Sequence, residues 1–166
     1  MKATWISVLS LGLILLVSAS GGAADYTFKD KSFKEKNLRT LEPYGPGFNE
    51  EQRAIWKEFI RMAARYEDFD ITDRIFELKD KTDGVLSTQY SLDLFDLYKK
   101  NPLFFMKAVD RYFSGNFKAF LPVWINETEE VAIKEIKDVV KGVPKNKLMD
   151  DFLKSADSLY KEMPKF

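Results

Sequence analysis

The sequence predicts an all-α protein, a single compact bundle of five or six helices, with helical-hairpin or solenoid-like stacking as the alternative arrangement. Three observations lead there. Apolar residues recur at three- and four-residue spacing through several long windows. Capping residues stand just before those windows, and Gly or Pro closes them. The two-residue period of a half-buried strand competes only around Tyr90, Leu92 and Leu94, where the length of the run favours helix.

In chain order, Lys2 precedes an apolar run from Trp5 to Ala19 and a small-residue tract from Ser20 to Ala24. This is the order of a secretory signal peptide. As a helix the run spans only about 22 Å, against roughly 30 Å of bilayer hydrocarbon. Residues 1–24 are therefore expected to be a removed leader, with no transmembrane segment after it. Residues 25–48 read as an N-terminal arm followed by a Pro/Gly loop. The arm alternates charges with scattered Tyr26, Phe28, Phe33, Leu38 and Leu41, sustains neither period, and either drapes on the body or is partly disordered. The loop is Pro43-Tyr44-Gly45-Pro46-Gly47.

The helical domain is expected over 49–166. Asn49 with Gln52 forms a capping box before an amphipathic helix from Glu50 to Tyr66, whose stripe is Ile55, Phe59, Met62 and Tyr66. After an acidic link, Asp70 or Thr72 caps a short helix through Ile71, Ile75 and Leu78 that ends near Gly84. Leu86, Tyr90, Leu94 and Leu97 mark the next helix. Asn101-Pro102 starts another, closed at Gly115, and Pro122 is expected to bend the chain after one or two more turns. Asn126 with Glu129 caps a helix through Ile133, Ile136 and Val140, and the last helix runs from Asn146 to Glu162. Residues 86–102 and 148–164 share a Leu-Tyr-Lys and Pro pattern, which two Pro-stopped amphipathic helices also produce by chance.

Composition narrows the function. Basic and acidic residues balance at 26 each, so the chain lacks the positive field that nucleic-acid binding or a polybasic membrane patch requires. With no His and no Cys, triads built on imidazole or thiolate and zinc sites made from them are excluded. An exported chain without Cys suggests a bacterial periplasm or exterior. No metal and no cofactor are expected. The cluster Glu67, Asp68, Asp70 and Asp73 starts like a calcium loop, but Asp73 and Lys79 fall where Gly and a bidentate Glu belong. Its simpler reading is a charged helix start.

The densest aromatic stretch runs from Asn101 to Ile125. Projected as a helix, Phe105, Val109, Tyr112 and Phe113 gather opposite Lys107, Asp110, Arg111 and Ser114. Leu103 and Phe104 are left beside the polar arc, either covered by neighbouring chain or exposed as a partner-binding patch. The first expectation is thus an exported, non-catalytic protein that binds a protein or peptide partner through apolar and aromatic helix surface. The alternative is a carrier of an apolar small molecule such as a lipid, with a cavity lined by Phe105, Tyr112, Phe117 and Trp124. Third comes a cell-wall glycoside hydrolase using carboxylates among Glu77, Asp96 and Asp110. No stretch resembles a known family closely enough to name one.

Overall fold

The computed structural model describes residues 24–41, 49–79, 85–126 and 131–162. Among them are eight helices and no strand: α1 (Phe28–Asn37), α2 (Glu50–Tyr66), α3 (Phe69–Glu77), α4 (Val85–Lys100), α5 (Pro102–Tyr112), α6 (Phe117–Asn126), α7 (Val131–Val139) and α8 (Lys147–Glu162). The class is all-α, and the number exceeds the five or six expected. The additional elements are α1, in the arm, and α6, where the bend was expected. Residues 1–23 of the expected leader, the Pro/Gly loop, Gly84, Glu129 and Pro164 lie outside the described residues.

Most helix starts follow their caps. Asn49 Oδ1 accepts from the Gln52 amide at 3.0 Å, which is half of the anticipated box. The Gln52 side-chain oxygen does not complete it and is buried without a partner. Asn101 Oδ1 accepts from the Phe104 amide at 3.1 Å, with Pro102 in the first turn, and Asn146 Oδ1 accepts from the Met149 amide at 2.9 Å. One cap differs from expectation. Asp68, not Asp70 or Thr72, starts α3, its Oδ1 accepting from the amides of Asp70 and Ile71. A carboxylate placed two residues before Asp70 reaches two orphan donors at once. The start of the helix that Asn126 was expected to cap falls at residues 127–130, outside the described residues.

Helix α2 packs on α4 and α3, α5 touches α3, α4, α6 and α8, and α8 also meets α6 and α7. Sequence spacing explains the core. Tyr90, Leu94, Leu97 and Tyr98 fall on one face of α4 and are buried. Phe117, Phe120, Leu121 and Trp124 do the same on α6. That face carries Pro122 through the helix instead of ending it. Pro122 lacks the N–H that would reach Lys118, but the burial of four large side chains outweighs one missing bond. The Trp124 indole also donates to the Ser91 carbonyl at 3.2 Å, tying α6 to α4.

Corners are short. Glu67 takes a left-handed conformation (φ 49°) between α2 and α3. The Asn101 amide donates to the Ala64 carbonyl at 3.1 Å and to Glu67 at 3.3 Å, so the α4–α5 corner satisfies an orphan carbonyl at the end of α2.

Candidate functional site

Two assemblies stand out, one apolar and one charged. The apolar one centres on Phe105, which is fully buried. Its ring lies 5.4 Å from Tyr98, 5.4 Å from Trp124, 5.7 Å from Phe120 and 6.4 Å from both Phe76 and Phe152. Phe117 joins through Phe152 at 5.3 Å. Of the four residues expected to line a cavity, Phe105 and Trp124 touch directly, and Phe117 and Tyr112 connect to the same set of rings through Phe152 and Phe76. Tyr112 is 37% exposed and rests on Phe76 and Phe113 at the rim. These spacings are those of direct ring contact, in edge and tilted geometries.

The pair expected as a partner surface is divided and mostly covered. Phe104 is fully buried, its ring 5.2 Å from Phe69, and Leu103 is partly buried against the core. The α2–α3 corner brings Phe69 over the first turn of α5, which widens the buried arc of that helix beyond the projection from sequence. Phe104 is therefore not a surface residue.

The charged assembly joins α1 to α2 and α3. Tyr26, Asp30 and Lys34 succeed each other at four-residue intervals and share one side of α1 and its lead-in. Asp30 accepts from the Tyr66 hydroxyl and from Arg61 at 3.1 Å, and Arg61 also holds Glu58 at 2.6 Å. Asp68 accepts from the Tyr26 hydroxyl and from Lys34 at 2.6 Å, and Lys34 also reaches Asp70 at 3.0 Å. The hydrogen bonds cross: the Tyr of each side finds the Asp of the other. The two tyrosine rings stack between them, 4.0 Å apart and 20° from parallel.

Electrostatics follow from this geometry. The Tyr66 hydrogen bond, helped by Arg61, holds the Asp30 carboxyl below the usual carboxylate range. Burial works against the Asp68 carboxylate, but bonds from Lys34, Tyr26 and the Ile71 amide outweigh it and lower its pKa too. Burial and the Asp68 hydrogen bond push the Tyr26 hydroxyl upward, so it stays a donor. Burial also penalises the Lys34 ammonium, yet its carboxylate partners raise its pKa overall.

The acidic cluster in the α2–α3 link is dispersed by its partners. Asp68 points to α1, Asp73 pairs with Arg111 at 2.9 Å, and Glu67 turns to Asn101 and, at 4.0 Å, Lys107. Among the described residues no group of three or more His, Cys, Asp or Glu is arranged to hold a metal ion. Burial raises the Asp73 pKa against the pull of Arg111. Of the carboxylates weighed for glycoside hydrolysis, Glu77 pairs with Arg74 and Asp96 with Lys99 on their own helices. Asp110 borders an open groove of about 550 Å³ with Phe117, Lys118, Asp151 and Lys154.

Sequence reasoning did not find the crossed clasp. Its only signal was the Tyr-Asp-Lys spacing of four, which no hydrophobic period reports. Fold and site together define an all-α bundle closed over an aromatic core. Comparison with protein-family models, curated proteins and solved structures finds no match to this chain.

Proposed function

We propose that this is an exported, non-catalytic helical protein that works by holding a protein or peptide partner. One observation supports this above the rest. The buried carboxylates are spent on joining helices: Asp30 and Asp68 tie α1 down, and Asp93 accepts from the Trp56 indole at 2.8 Å and from Gln89 at 3.1 Å. A glycosidase needs a carboxylic acid facing substrate from an apolar pocket. Among the described residues, the large apolar side chains most exposed, Phe28 at 90%, Leu92 at 47% and Tyr112 at 37%, are the groups a partner would meet. The carrier reading ranks second, because the rings it needs as a lining already touch one another. No helix among the described residues is long and apolar enough to cross a membrane.

The test places a photo-crosslinking amino acid at position 28, 92 or 112, in the protein expressed with its leader in its own host. The expected result is one recurrent protein adduct from at least one of these positions, and none from position 105. Native mass spectrometry of the same preparation checks the alternative. A retained lipid, with no adduct, would overturn the partner reading in favour of the carrier.

A further inference from the structure

The charged clasp has a physical role that is independent of the partner proposed above. We infer that α1 is a charge-held strap over α2 and α3, whose N-terminal half lifts from the folded body when Asp30 and Asp68 lose their charge while Leu41 keeps its other end in place.

The apolar hold on α1 is uneven. Within the helix only Phe28 and Phe33 are apolar, and Phe28 is 90% exposed. Phe33 rests on Phe59 at 5.4 Å, and Tyr26, just before the helix, stacks on Tyr66. Leu41 is fully buried, and its carbonyl accepts from Arg74 at 3.0 Å. The C-terminal end thus has a core anchor, while the N-terminal half depends on polar bonds around two carboxylates. A helix of this length is not stable in water by itself, so undocking and unwinding of α1 go together.

The groups around each carboxylate decide the direction of the response. Asp30 faces Arg61, Glu58 and Tyr66 of α2. Asp68 faces Tyr26 and Lys34 from the arm and has Asp70 beside it on α3. Glu67 and Asp73 are turned to α5 through Lys107 and Arg111, so neither substitutes as a partner for Lys34. Neutralising Asp30 leaves Arg61 with Glu58 on α2. Lifting α1 also takes Lys34 from Asp70, a carboxylate already exposed to water that needs no protein partner. What release uncovers is the side of Phe59 and Tyr66 that Phe33 and Tyr26 cover.

Hydrogen exchange read by mass spectrometry tests this on the purified protein with the Asp30→Asn and Asp68→Asn double substitution at pH 7. The expected result is exchange of residues 28–37 about ten- to hundred-fold faster than in the parent, as loss of charge-assisted bonds implies, with residues 56–66 unchanged. Lys34→Met, which keeps both carboxylates, should give a smaller acceleration confined to the same segment. Unchanged exchange in 28–37, equal acceleration of both segments, or loss of the fold in both variants would each overturn the strap. In the parent protein, acidification below about pH 4, the ordinary carboxylate range, should deprotect 28–37 before 56–66. Simultaneous loss would count against it.

Discussion

At the scale of single residues, backbone conformation at the α5–α6 turn makes a measurable demand. Ser114 (φ 51°) and Gly115 (φ 79°) are consecutive left-handed residues, and the Gly115 amide closes the end of α5 on the Asp110 carbonyl at 2.8 Å. A side chain in this region costs on the order of 1 kcal/mol, which Gly avoids. Ser114→Gly should therefore raise stability by up to about 1 kcal/mol, read as a higher urea midpoint with unchanged slope. Gly115→Ala should lower it by about 1–2 kcal/mol. A Cβ there would meet Asp110 Oδ1 only at 3.7 Å, so the penalty would be conformational and not a clash. Gly115 was legible in the sequence because Gly after a helix is a known stop. Ser114 was not, since nothing local marks a serine for this conformation. Glu67 was hidden in the same way: nothing local marks a glutamate for a left-handed backbone, and its side chain accepts from Asn101, 34 residues along the chain.

At the scale of elements, the helices visible in the sequence were those whose apolar stripe coincides with their own caps, such as α2, α5 and α8. The two that were missed form for reasons outside themselves. Helix α1 is strongly polar and depends on bonds to Arg61, Tyr66 and Asp68, distant in sequence. Helix α6 contains a helix breaker and holds because Phe117, Phe120, Leu121 and Trp124 are buried against other helices. Tertiary packing there overrides a local penalty of roughly 3 kcal/mol. Pro122→Ala should recover part of it, on the order of 1 kcal/mol after the lost rigidity of the unfolded chain is deducted, again read in urea. Unchanged or lower stability would mean that α6 has already adjusted around the ring. The same logic limits what could be known of the site. Whether Phe104 was covered stayed open from sequence because its cover, Phe69, belongs to another helix.

The response of α1 to pH also belongs to the elements, and it carries upward to the whole molecule. Asp30 and Asp68 have lowered pKa values when docked, so their contribution is present above the ordinary carboxylate value and is lost as pH falls through the docked one. Lys34 and Tyr26 have raised values, so theirs is complete at neutral pH and is lost only in alkali, as pH climbs past their ordinary range. Docking should therefore hold across a broad neutral plateau. The body answers to a different force, the burial of aromatic surface around Phe105, which acidification leaves in place. Rings from α3, α4, α6 and α8 all converge on Phe105, so removing it withdraws contacts from four helices together. Phe105→Ala should cost about 3–5 kcal/mol, the range for a large ring whose neighbours cannot collapse into the gap. That is a large part of the roughly 5–15 kcal/mol that holds a domain of this size. Tyr112→Ala, at the exposed rim, should cost about 1 kcal/mol. If the rings lined a ligand cavity instead of filling the centre, the cavity contribution would already be present in the parent. The two substitutions would then approach one another, and equal losses in urea would overturn the close-packed core.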